Sequence, residues 1–168
     1  MNIYLLRHGI AAEKGKDYPE DFFRPLVPEG VKETRAVAQG MKRLRIKPDR
    51  VLSSPLVRAR ETAAIVAKVL GVSEKLECSD LLAPGSLFSG LVQDLRSREV
   101  IENILLVGHE PFLGCLIGYW TTGRNEAFAP LKKSGLCKLE IESVRNGRCA
   151  ELKWLMTPRQ LQLIARNP

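Results

Sequence analysis

Two short apolar runs limit what this chain can fold into. Ile3-Tyr4-Leu5-Leu6 and Ile104-Leu105-Leu106-Val107 are unbroken by any polar residue. Runs of that length without alternation read as strands covered on both faces, which belong to parallel sheets flanked by helices. Each run ends at a histidine beside a glycine: His8 precedes Gly9, and His109 follows Gly108. Ligands of open parallel sheets bind beyond the carboxyl ends of the strands, where loops and helix N-termini converge. The chain has 2 histidines, and this reading places both at such ends, facing one pocket.

The remaining segments fit the same architecture. Val31, Thr34, Val37, Ala38, Met41 and Leu44 recur at helical spacing, predicting an amphipathic helix over 29–44. Val51-Leu52-Ser53 reads as a short strand, and Leu56 to Leu70 as an Ala-rich helix stopped by Gly71. Lys75 to Cys78 suits another short strand, and Ser86 suits the cap of a helix reaching Arg98. A helix over 112–119 follows the second histidine, with Pro111 in its first turn.

Leu136 to Val144 and Cys149 to Met156 alternate apolar with charged residues around Asn146-Gly147, the signature of an antiparallel hairpin. In the second strand Leu152 and Trp154 are expected inward, with Glu151 and Lys153 outward. A last helix starts near Pro158. The expected fold is α/β: a mostly parallel central sheet flanked by helices, closed by a C-terminal hairpin. With no repeat or linker in 168 residues, one domain over 1–168 is expected.

Composition narrows the function. No apolar run approaches the roughly 20 residues that cross a bilayer, and Met1 to Gly9 lacks the basic start and long apolar stretch of a secretory signal. A cytoplasmic protein without a membrane partner is expected. Cys78, Cys115, Cys137 and Cys149 are scattered, with no histidine at ligand spacing, so neither a metal nor an organic cofactor is called for. Lys plus Arg number 26 against 19 for Asp plus Glu, a net charge of +7 that favours anionic partners. The basic run Lys42 to Arg50 reads as a solvated helix end, and without interleaved aromatics it argues against nucleic acid.

Arginines stand beside the histidines. Arg7 closes the first buried strand, where a charge is expensive unless an anion meets it. Arg58 falls in the first turn of its helix, where a cation opposes the helix dipole. The misfit is resolved if Arg58 and the free N–H groups of that turn bind an anion together. A guanidinium meets two phosphate oxygens at once, which an ammonium does not. Arg60 points elsewhere on the helix and is expected to pair with Glu61 or Glu33.

Leu-Arg-His-Gly at 6–9, Ser-Ser-Pro-Leu-x-Arg-Ala-x-x-Thr-Ala at 53–63 and Val-Gly-His at 107–109 together resemble the histidine phosphatase superfamily, with its phosphoglycerate mutase-like fold. Arg24-Pro25-Leu26 followed by Gly30, the run 103–111 and the short length resemble its SixA-type phosphohistidine phosphatases. The resemblance implies His8 as nucleophile, forming a phosphohistidine that water hydrolyses, and Arg7, Arg58 and His109 as the clamp on the phosphoryl oxygens. It implies no metal. Members that use a carboxylic acid take it from the loop after the third strand or from the residue after the second histidine. Here those places hold Asp80 and Glu110.

Arg24 is either a substrate contact or one half of a loop ion pair. Only 9–28 and 79–86 are long enough to overhang the site. An open pocket suits a phosphorylated protein, such as a phosphorelay histidine domain, and a small phosphoester or nucleotide is the alternative. A non-catalytic phosphate- or nucleic-acid-binding module is the reading from a different class, and a free imidazole nucleophile argues against it. At the ordinary imidazole pKa, activity is expected to fall below neutral pH as His8 protonates.

Overall fold

The buried runs become the middle of the sheet. The computed structural model describes residues 1–98 and 101–166. β1 (Asn2–Arg7) and β4 (Asn103–Gly108) pair in parallel, with Arg7 opposite Gly108. β2 (Arg50–Ser53) and β3 (Leu76–Cys78) extend the parallel part beyond β4. On the other side β5 (Leu136–Ile141) runs antiparallel to β1, and β6 (Ala150–Met156) antiparallel to β5. The order is β3-β2-β4-β1-β5-β6. This is the expected α/β fold with its C-terminal hairpin.

Both faces of β1 are buried, which explains why its sequence does not alternate. Ile3 and Leu5 join a core with α3 (Phe88–Ser97) and α4 (Phe112–Thr122). Tyr4 and Leu6 join the opposite core, with α1 (Pro28–Arg43), α2 (Val57–Leu70) and α5 (Pro158–Arg166). Helices α1 and α5 touch closely at Gly40, where a Cβ would overlap the Leu161 carbonyl. α2 ends at Gly71, whose φ of 73° lets Val72 N–H return to the Ala67 carbonyl at 2.9 Å. Among the described residues no helix is long and apolar enough to cross a membrane.

Two local expectations fail. Ser86 does not cap α3: its hydroxyl donates to the Asp80 carbonyl at 2.7 Å, and the helix starts two residues later without a side-chain cap. The hydroxyl is spent stabilising its own loop. Leu152 and Trp154 do not share a face. The register slips between Lys138 and Leu139, so Lys138 faces Trp154 while Leu139 faces Leu152. That bulge sends Leu152 to the α3/α4 core and Trp154 to the α1/α2/α5 core. Strict alternation read through a bulge misplaces every residue beyond it.

Candidate active site

Strand register builds the site. Because Arg7 lies opposite Gly108, the next residues along, His8 and His109, emerge side by side, and His8 N–H donates to the Gly108 carbonyl at 3.0 Å. Their rings stand 5.1 Å apart between centroids. β2 adds the third strand end: Ser53 pairs with Val107, and Ser54 N–H bonds the Val107 carbonyl at 2.9 Å. The turn after Ser54 starts α2 and delivers Arg58. His8, Ser54, Arg58 and His109 are all buried.

Gly9 lets β1 hand over to its loop inside this crowd. A Cβ there would lie 2.5 Å from Thr34 Oγ1. Its N–H donates to Thr62 Oγ1 at 3.0 Å, and Thr62 in turn donates to the Arg58 carbonyl at 2.7 Å, tying β1 to α2. The Gly9 carbonyl lies 2.7 Å from His8 Nδ1. A carbonyl only accepts, so Nδ1 carries the ring proton and Nε2 presents its lone pair. Arg58 Nε–H points at that nitrogen from 3.3 Å.

Burial pushes the His8 imidazole down to about 3, against the opposing pull of the Gly9 carbonyl, and the positive charges of His109, Arg58 and Arg7 push the same way. With that lowered value, the fall in activity expected as His8 protonates moves from near neutral to well into acid. The free protein keeps His8 neutral well into acid, because a cation there would be buried among cations.

His109 is held in a complementary state. Its Nε2 lies 2.8 Å from Ser54 Oγ, which also accepts the Leu56 N–H at 3.4 Å. Oγ has two lone pairs and one proton, so the contact fits either ring tautomer; with the hydroxyl donating to Nε2, the ring proton sits on Nδ1. Nδ1 is buried and has no partner in the protein. Burial, followed by the charge of Arg58, lowers His109 to about 4, while Asp21 pulls the other way. His109 is thus neutral, and in that tautomer its Nδ1–H is a free donor.

The arginines are held by backbone and by one carboxylate. Arg7 Nη1 donates to the Leu131 carbonyl at 2.8 Å, and its Nε is buried without a partner. Arg58 Nη1 and Nη2 donate to the Asp21 carbonyl and to Asp21 Oδ2, each at 2.8 Å. Asp21 Oδ1 takes Arg24 Nη1 at 2.9 Å, leaving Arg24 Nε buried and unpartnered. Burial works to raise the Asp21 carboxyl, but the Arg58 hydrogen bond and charge, with Arg24, hold it below its ordinary value. Among the described residues four buried side-chain polar atoms lack partners, and three of them belong to Arg7, Arg24 and His109. Buried donors normally find partners, so open polar atoms on three side chains of this site suit an acceptor-rich anion.

The structure thus brings His8, Arg7, Arg58 and His109 together, with Arg24 alongside in a loop ion pair. Glu110 lies next to His109 in sequence; its carboxylate is held by two backbone N–H groups, and its charge favours the Arg7 cation. Oε1 accepts Leu131 N–H at 2.7 Å and Oε2 accepts Gly114 N–H at 3.3 Å, which caps α4 and steadies the residue holding Arg7. Asp80 is exposed, and its side chain bonds to none of the four. Arg60 makes no ion pair among the described residues. Glu61 instead accepts Leu26 N–H at 2.7 Å, and Arg60 lines a groove of about 460 Å³ between α2 and β3.

Asp21 is the site residue that sequence reasoning passed over, while Ser54 and Thr62 stood in the 53–63 motif without an assigned role. Asp21 carried one faint signal, its place three residues before Arg24 in a turn. No group of three or more metal-ligating side chains occurs among the described residues.

Comparisons with known proteins bear on the family and the fold. The sequence profile of the histidine phosphatase superfamily (branch 1) matches residues 3–83, which include Arg7, His8 and Arg58. An uncharacterized protein of Picosynechococcus sp. is 36% identical over 148 residues, 86% of this chain and 88% of that one. The phosphohistidine phosphatase SixA of Escherichia coli is 28% identical over 166 residues, 97% of this chain and 98% of that one. Among solved structures, the protein histidine phosphatase SixA complexed with tungstate superposes with a TM-score of 0.84 at 26% identity, covering 96% of this chain and 99% of the other.

Proposed function

This chain belongs to the histidine phosphatase superfamily and is of the SixA type, and from that premise we propose that it hydrolyses phosphohistidine on a protein, with His8 as the nucleophile. The observation that carries the reading is the cluster of unpartnered donors around a neutral imidazole lone pair. The solved SixA neighbour holds tungstate, a tetrahedral oxyanion of the same shape as phosphate. The reading takes residues 1–168 as one catalytic domain, since the strand ends supplying the site come from both halves of the chain.

The lone pair on His8 Nε2 attacks phosphorus, and the bond from phosphorus to the substrate nitrogen breaks, its electron pair leaving with that nitrogen. Arg7, Arg58 and His109 Nδ1–H take the non-bridging oxygens, on which the negative charge lies throughout. Because Gly9 keeps the proton on Nδ1, phosphorylated His8 is an imidazolium. Water then attacks phosphorus, and the P–N bond gives its electron pair back to Nε2 to regenerate neutral His8. By the same logic the leaving group needs no strong acid. An imidazole protonated on its far nitrogen departs as a neutral ring, whereas a serine alkoxide needs a proton delivered.

The test is phosphate release from a phosphohistidine-bearing protein domain and from a small aryl phosphate in parallel, with His8→Ala as control. Preference for the protein, lost in the variant, is expected. Preference for the small ester keeps the mechanism and overturns the substrate. Release from both substrates that survives in His8→Ala overturns the nucleophile.

A further inference from the structure

The loop between β1 and α1 carries a feature the chemistry above does not use. Phe22 and Phe23 follow Asp21 in a single 3₁₀ turn, Asp21–Phe23, none of whose residues is buried. Their side chains are 40% and 55% exposed, and their rings meet edge to face with centroids 5.1 Å apart. The chain has 5 phenylalanines, and two of them stand together in water. The other large apolar side chains exposed among the described residues, Leu87, Phe128 and Leu163, are scattered singly along the chain. Isolated exposed apolar groups are ordinary, whereas two adjacent exposed aromatics offer a larger apolar surface for a partner to cover.

The position of the pair decides what covers it. Asp21 gives both its carbonyl and its carboxylate to Arg58, so the turn is bonded to the phosphate-binding arginine, and the two rings begin one residue from that contact. A molecule presenting a phosphoryl group to His8 therefore passes this turn. A small phosphoester ends near its phosphorus and has nothing to place against two phenyl rings. A folded domain with a surface phosphohistidine brings the side chains around that histidine as well.

We propose that Phe22 and Phe23 form a docking surface for the apolar surroundings of the phosphohistidine on a protein substrate. This rests on the reading that the substrate is a phosphoprotein, and it adds where that protein is gripped.

Phe22→Ala/Phe23→Ala, compared with wild type on a phosphohistidine-bearing domain and on a small aryl phosphate, tests this. The expected result is a loss of roughly tenfold or more in kcat/KM on the protein, carried by KM, with the ester within about twofold. Phe22→Leu/Phe23→Leu, which keeps apolar area, is expected to recover part of the loss. Equal losses on both substrates would make the pair a structural support of Arg58 and overturn the proposal. No loss on either, in an enzyme that still prefers the protein, would overturn the docking surface and leave the phosphoprotein reading standing. A wild-type preference for the ester would overturn both.

Discussion

Acid should unfold this protein through its two histidines before any carboxylate is involved. His8 and His109 are the only histidines in the chain, and burial among cations lowers them to about 3 and about 4. An unfolded imidazole takes its proton near pH 6.5, so below that pH the unfolded chain binds protons that the folded one refuses, and stability falls with pH. At pH 5 the unfolded rings are more than about nine-tenths protonated while the folded rings remain neutral, a cost of about 2 kcal/mol each. Asp21 stays outside this window: its lowered carboxyl contributes stability that is present above the unfolded value and lost only below it.

Together the two rings should cost about 4 kcal/mol between pH 7 and pH 5, a fall of about 2 M in the urea midpoint at a slope near 2 kcal/mol per molar. The assay is urea unfolding followed by tryptophan fluorescence and circular dichroism, in buffers free of phosphate. His8→Gln and His109→Gln should each remove about half of the pH dependence, and the double variant nearly all of it, whatever their stability at pH 7. A wild-type midpoint that moves by less than about 0.5 M, or a double variant that falls as far as wild type, would refute the reasoning.

Other consequences follow from single contacts. Ser54→Ala frees His109 Nε2 to take the ring proton, and kcat/KM should fall about tenfold, with the imidazole ¹⁵N shifts reporting the changed tautomer; unchanged shifts would contradict the assignment. Asp21→Asn removes the anion that competes for Arg58 and Arg24, so inorganic phosphate measured by calorimetry should bind about tenfold tighter, and weaker binding would show that Asp21 orients Arg58 for the anion. Gly40→Ala forces α1 away from the Leu161 carbonyl and should cost roughly 1–3 kcal/mol in urea unfolding while leaving phosphate binding unchanged.

Local pattern made the central sheet and its histidines legible, because β1 and β4 are buried on both faces and each keeps its reactive residue within two positions of its end. Arg58 was legible through its misfit with the helix dipole. What escaped depends on contacts between distant segments. Asp21 reaches Arg58 only because the 9–28 loop is pinned back on α2 by Glu61 at Leu26 N–H and by the Ala11–Leu26 bridge. Ser54 matters through the register of β2 on β4, which a run of four residues does not specify. The turn of Glu110 toward Leu131 depends on a segment 21 residues further on. The low His8 value comes from burial beside charges on three separate strand ends, and a model-compound pKa carries none of that. The bulge in β6 left no mark in a sequence that alternates on either side of it.

In the proposed mechanism the His8 Nε2 lone pair takes the phosphoryl group. Rapid quenching of the protein during turnover of a ³²P-labelled phosphohistidine domain, followed by peptide mapping, tests it most directly. An acid-labile, alkali-stable phosphoryl group is expected on Nε2 of His8, formed and lost at rates that match turnover and absent from His8→Ala. Full turnover with no label on His8, or label on His109 instead, would contradict it.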